Sequence, residues 1–331
     1  MSNDPRIAVV VPYFQRQAGV LKRTVESAFC QTLAEQLLVI VVDDESPVPA
    51  DADLTDVSDF IRERLLVIRQ TNGGAGAARN RALDAIPDDV EFAAFLDSDD
   101  TWEPDHIENA IHALGLGYDF YFSDYIACDY REASNFTRIG SLRPEEHDCL
   151  DTARRLYGFR SSAIDHVVRQ GNVIQTSTVV YRFRRFPRLR FREEFYNGQD
   201  FFFWMDIGEL GARMAFSMRV ECDCGEGINI YSGSGWGTDK FLRRVRNELK
   251  VWLSAARFYQ LTPEQSEANR KKIAGLQETV IRDLLHRVAR RSAIPWHLLG
   301  DIVRLSPQIL LKAPWYFLRV VKEKLQSQGS Q

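Results

Sequence analysis

Cysteine is scarce: 331 residues hold five, at 30, 128, 149, 222 and 224. So few, and odd in number, they exclude a disulfide-built scaffold and suit a reducing compartment. Cys222-Asp223-Cys224 is half of a metal-binding pattern, but the sequence offers no second pair or histidine cluster beside it; two small residues near a strand end is the simpler reading. No apolar run approaches the roughly 18 residues a membrane-spanning helix needs. Met1 to Pro5 is polar and the apolar run after it is only five residues, Ile7 to Val11, so no secretory leader is expected and the chain should stay in the cytoplasm. Excess basic charge is lacking too. A net charge of −4 gives no overall field for nucleic acid. Internal repeats and low-complexity segments are also missing.

What is present has an uneven layout. Nine Lys or Arg against three acids between Arg282 and Leu325 give that stretch +6, which leaves −10 on the rest. Ile7-Ala8-Val9-Val10-Val11 and Leu37 to Val42 read as strands buried on both faces, and Leu65 to Arg69 and Phe92 to Leu96 as two more. Helical spacing runs from Val20 to Phe29, near Leu54 to Arg62, and from Ala75 to Ala85. Strand and helix in alternation predict a mostly parallel sheet with helices on both faces. Ligands bind such sheets at the carboxyl ends of the strands. Pro12-Tyr13, Asp43-Asp44-Glu45-Ser46, Asn72-Gly73-Gly74 and Asp97-Ser98-Asp99-Asp100 should therefore meet in one crevice. Further on, a helix is expected from Asp105 to Leu114 and strands over Phe120 to Ser123, Thr178 to Phe183 and Met214 to Val220. The pattern weakens between 130 and 171. Beyond Thr238 helices are expected over 239–260 and 263–291.

Three carboxylates within four residues, Asp97, Asp99 and Asp100, are costly unless a positive partner neutralises them. A divalent cation carrying a diphosphate is one such partner, because hard cations take oxygen ligands and share them with phosphates. A solvated acidic turn is the plainer alternative. Downstream, Gly198-Gln199-Asp200 opens the apolar run Phe201 to Met205. Asp200 there could serve as a helix N-cap, as a catalytic carboxylate, or as both.

Taken in order and spacing, Val9-Val10-Val11-Pro12-Tyr13, Val42-Asp43-Asp44-Glu45-Ser46, Asn72-Gly73-Gly74 with Ala78-Arg79-Asn80, Asp97-Ser98-Asp99-Asp100 and Gly198-Gln199-Asp200 resemble glycosyltransferase family 2, inverting enzymes with the GT-A fold. The resemblance covers about residues 5 to 235 and leans toward bacterial exopolysaccharide enzymes of the succinoglycan type. It implies a UDP-sugar donor, glucose as the first guess, transferred with β linkage to a saccharide or a polyprenyl-diphosphate-linked acceptor. Asp44 would accept from the uracil N–H, Pro12-Tyr13 would pack beside the base, and Asn72 would belong to the nucleotide loop. Arg79 would approach base or phosphates, Asp97 and Asp99 would meet the ribose hydroxyls and the metal, and Ser98 would belong to the same donor-binding loop. Asp99 or Asp100 would ligate Mn2+ or Mg2+ in the DXD motif, and Asp200 would take the acceptor's proton. Gln199 stands where the family commonly has an acid. The loop Asn229 to Trp236 lacks the histidine many members carry; Trp236 could stack on a sugar or simply pack.

Rival readings are a sugar-nucleotide nucleotidyltransferase and a non-catalytic subunit that binds UDP-sugar or polymer. The first is disfavoured because Pro12 to Arg16 lacks the glycine-rich basic loop such enzymes carry after their first strand. Residues 1–237 are expected to form the GT-A domain and 238–331 a helical extension. In that extension Trp296, Leu298-Leu299, Ile309-Leu310-Leu311 and Trp315 to Leu318 alternate with bases, and Pro295, Pro307 and Pro314 should cut it into short helices. Such a segment suits peripheral contact with the inner face of the cytoplasmic membrane, or closure over the core, or a homodimer contact.

Overall fold

Strand β1 (Ile7–Tyr13) buries all seven of its residues, as a central parallel strand must. It pairs in parallel with β2 (Leu37–Asp43) on one side and β4 (Phe92–Phe95) on the other, and β3 (Leu65–Arg69) extends the parallel set beyond β2. The structure is a computed structural model that describes residues 6–226 and 235–328, with side chains up to Arg319. It divides into two units. One comprises Met1–Glu194 with Gln199–Ile228, the other Phe195–Gly198 with Asn229–Gln331.

The first unit is built on one mixed sheet. Its remaining strands are β5 (Thr101–Trp102), β6 (Phe120–Ile126), β7 (Asp148–Asp151), β8 (Leu156–Gly158), β9 (Val180–Tyr181) and β10 (Met214–Asp223), in the order β3-β2-β1-β4-β9-β6-β10-β8-β7, with β5 against β10. β6 and β10 run parallel, and β9 lies antiparallel between β4 and β6. Four longer helices are α1 (Val20–Phe29), α2 (Ala75–Asp84), α3 (His106–Gly115) and α4 (Gln199–Glu209). In α1, Leu21, Thr24, Val25 and Ala28 face the core at helical spacing. α4 is rooted by aromatics: Phe203 stacks on Phe191 at 4.4 Å between ring centres and meets Phe95 edge-on at 5.4 Å.

The expected elements are present, with instructive differences. The stretch near Leu54 to Arg62 holds only the one-turn helix Asp59–Arg62, with a second, Ala50–Asp53, just ahead of it. Expected strand Thr178 to Phe183 shrinks to the two residues of β9, flanked by 3-10 turns. β10 runs past Val220 to Asp223, with register shifts against β6 between Ser217 and Cys222. The weakly patterned 130–171 region supplies the edge hairpin β7–β8, whose strands are four and three residues long, too short for periodicity to register.

The second unit is helical: α5 (Asp239–Phe258), α6 (Pro263–Ala289), α7 (Trp296–Leu305) and α8 (Gln308–Gln328). Thr262 and Gln265 form a capping box at the start of α6. Arg287, 2% exposed, is held between Asp283 at 2.8 Å and Asp239 at 3.1 Å. Pro314 does not break α8. It stands in the second turn, where one N–H is lost, and the helix is pinned on both sides of it by buried Ile309 and Tyr316, whose hydroxyl donates to Gln277 at 3.0 Å. Among the described residues no helix is long and apolar enough to cross a membrane.

Candidate active site

The crevice is assembled from loop to loop by hydrogen bonds. After β1, Tyr13 offers its carbonyl to the Asp44 N–H at 2.9 Å. The Gln15 amide donates to Ser46 Oγ at 2.8 Å, and Gln15 Nε2 reaches Ser98 Oγ at 3.2 Å. After β2, the buried Asp44 carboxylate gathers the loop after β3: Gln70 Nε2 and Gly73 N donate to Oδ1, Gly74 N to Oδ2, all at 2.8 Å. Gly74 sits at φ +86°, a conformation that favours glycine, and opens α2. Asn72, itself exposed, donates from Nδ2 to the Asp44 carbonyl at 2.9 Å. Loops after the first four parallel strands thus converge, as the alternation of strand and helix requires.

From α2, Arg79 reaches across to Asp97 at 2.5 Å and lies 5.2 Å from the centre of the Phe191 ring. Next to it, Asn80 clamps the segment that leads to α4: Phe191 N donates to its Oδ1 at 2.7 Å, and its Nδ2 donates to Phe191 O at 2.8 Å and Glu193 Oε1 at 2.7 Å. Asp200, in the first turn of α4, feels both Arg79 and Asp97. Burial pushes its carboxyl up to about 6, against the pull of Arg79 and of backbone N–H groups.

The acidic loop divides by direction. Asp97 and Asp99 are half-buried, whereas Ser98 and Asp100 are buried. Asp100 accepts from Ser177 Oγ at 2.5 Å and from Gly225 N at 2.9 Å. Burial first, and then the like charges of Asp97 and Asp99, push Asp100 up to about 8. Gly225 leaves no room for a side chain, because a Cβ there would run into the Asp99 carbonyl.

Three expected residues are placed differently from their anticipated contacts. Pro12 and the Tyr13 ring are fully enclosed in the sheet, so a nucleotide would meet the backbone here rather than the Tyr13 ring. Asp100 turns inward, away from the half-exposed pair Asp97 and Asp99. Of the late loop, Asn229 to Ser234 lies outside the described residues; Trp236 is half-exposed with its ring 4.6 Å from Phe241. Ser177 is the residue that sequence reasoning missed. Its Oγ accepts the Asp97 N–H at 3.0 Å while donating to Asp100, and its carbonyl takes the Trp102 indole N–H at 2.5 Å. A serine in a 3-10 turn before a two-residue strand carries no pattern that would single it out.

The profile of glycosyl transferase family 2 matches residues 8–187, more than half of the chain. The chain belongs to that family. It is a glycosyltransferase, and the motifs at Asp44, Asp97 to Asp100 and Arg79 fall inside the matched span. Across 319 residues it is 29% identical to the succinoglycan biosynthesis protein ExoW of Rhizobium meliloti, covering 92% of this chain and 95% of that one. Among solved structures, Staphylococcus aureus TarS residues 1–349 in complex with UDP-GlcNAc superposes with a TM-score of 0.55 at 18% identity, over 93% of this chain and 81% of that one. A mannosyltransferase from Pyrobaculum calidifontis, in complex with GDP-Man and Mn2+, gives 0.56 at 17% identity, over 96% and 86%. These likenesses establish the GT-A type of fold.

Proposed function

We propose that this glycosyltransferase moves a hexose, glucose in the first instance, from a UDP-sugar to a saccharide or a polyprenyl-diphosphate-linked acceptor, with inversion to a β linkage, in building a bacterial surface polysaccharide. The observation that carries the reading is the meeting of Asp97, Arg79 and Asp200 beside the loop that Asp44 ties down. The likeness to ExoW supports the polysaccharide assignment, and UDP-GlcNAc on the TarS fold supports a uridine donor.

The residues divide the work. Asp44 Oδ1 already takes two donors and Oδ2 one, which leaves Oδ2 a lone pair for the uracil N–H. Gly73 and Gly74 present backbone beside it. Arg79 restrains Asp97 and faces the diphosphate. Asp99, with Asp97, offers the half-exposed hard oxygens that suit Mn2+ or Mg2+. Bound there, the ion would neutralise the departing diphosphate. Asp200 accepts the proton of the acceptor hydroxyl. A carboxyl at about 6 is a stronger base than an ordinary aspartate yet ionised at neutral pH.

The test is a screen of UDP-sugars with Mn2+ or EDTA, scoring donor turnover and transfer to lipid-linked saccharides. Transfer from one UDP-hexose that stops with EDTA is expected. Donor binding without turnover for every sugar would favour a non-catalytic binding role and overturn the reading.

A second observation favours a membrane surface as the place of work. On α8, Leu311, Trp315 and Leu318 are exposed at 85%, 58% and 66% while Ile309 and Tyr316 face inward. Trp296 on α7 is 73% exposed, and the exposed bases Arg291, Arg304, Lys312 and Arg319 belong to the same unit. Apolar side chains among bases complement an anionic lipid surface.

A further inference from the structure

A second set of metal-competent side chains lies behind the acidic loop. One ligand atom each from Asp100, Cys222 and Cys224 falls within 4.8 Å of the others, and all three residues are buried. The chain brings them together from two places. Asp100 ends the loop after β4, and the cysteines stand at the end of β10. Alternate residues of a strand share a face, so Cys-x-Cys sends both thiols the same way. Asp223 between them forms an ion pair with Arg131 at 2.6 Å instead. Pairing of Cys222 with Trp102 on β5 and Tyr125 on β6 fixes that face in register. Cys224 donates its N–H to the Ile126 carbonyl at 2.9 Å, which places Cys128, two residues on, at the same end of the sheet.

We propose that Asp100, Cys222 and Cys224 form a zinc site that ties the acidic loop to β10. Two sulfurs and one carboxylate oxygen are a zinc set rather than a magnesium or manganese one, because thiolates select soft cations. A tetrahedral ion with Zn–S bonds of about 2.3 Å holds its ligand atoms about 3.7 Å apart, within the observed spread. The outer contacts of a ligand set are also in place: Ser177 and Gly225 N orient the carboxylate, and Gln175 Nε2 reaches Cys224 Sγ at 3.5 Å. The inference is independent of which sugar is transferred and of the hard cation at Asp99.

The full chain, purified under reducing conditions without a chelating resin, is titrated with Co2+. A thiolate-to-cobalt charge-transfer band that saturates stoichiometrically, yields to Zn2+ and withstands a large excess of Mg2+ is expected. Cys222→Ser and Cys224→Ser should each weaken binding at least about tenfold, whereas Asp99→Asn should leave the band. The wild-type spectrum decides even where a variant fails to fold. No thiolate band, displacement by Mg2+, or a band that survives both cysteine substitutions would overturn the site.

Discussion

Asp200 and Ser177 show how much single side chains decide here. Ionised Asp200 is disfavoured by burial, so its carboxyl titrates at about 6 in the fold. A base must be ionised to act; transfer at limiting acceptor should therefore rise through pH 6 and level off above it, as a pH profile of kcat/KM would record. Asp200→Asn should lose transfer by about 10^2- to 10^4-fold while UDP-sugar binding, followed by calorimetry, stays close to wild type. Transfer at the wild-type rate would move the base elsewhere. Ser177→Ala removes a hydroxyl that satisfies two groups at once, the Asp97 N–H and the buried Asp100 carboxylate. Its expected cost is about 1–3 kcal/mol, measured by denaturant unfolding, with weaker retention of the hard cation as Asp97 loses its anchor.

At the scale of elements, what the sequence made legible was whatever periodicity or spacing controls. β1, β2 and β4 are continuous apolar runs and could be read as buried strands; α5 and α6 carry long helical patterns. Asp97 and Asp200 stood out as carboxylates beside an apolar strand and an apolar helical run, whereas Asp44 and Arg79 were marked by the resemblance to glycosyltransferase family 2. What stayed hidden depends on contacts between distant segments. β5, β7 and β9 have two to four residues each, too short for a period, and exist because neighbouring strands offer edges. The inward turn of Asp100 arises from Gly225, 125 positions away. That close approach makes a prediction for the loop after β10. Gly225→Ala should push Asp99 out of place and raise the concentration of Mn2+ needed for half-maximal transfer by roughly tenfold or more, with the unfolding midpoint little changed. An unaltered Mn2+ dependence would show that the loop does not set Asp99.

At the scale of the whole molecule, the helical unit puts apolar side chains in water that its fold does not need. Leu311 and Trp315 are exposed while their neighbours Ile309 and Tyr316 carry the packing. Leu311→Glu with Trp315→Glu should therefore leave folding intact by circular dichroism. Each change should cut binding to vesicles containing anionic lipid by about tenfold, since burying such a side chain is worth about 1.5–3 kcal/mol. Equal vesicle binding together with a change in oligomeric state would assign the stripe to a second copy of the chain. The sheet of the other unit has its own whole-molecule consequence. β9 pairs with β4 and β6 through Val180 and Tyr181, and Val179 and Arg182 add one backbone hydrogen bond each, to Phe95 and Asp119, so the β1–β4 group and the β6–β10 group are joined along a short seam centred on Val180 and Tyr181. Such a narrow suture is where a partial opening of the native state would begin. Deuterium uptake at those two amides should outpace that of β1, and a bound donor, holding one side of the suture alone, should slow it little.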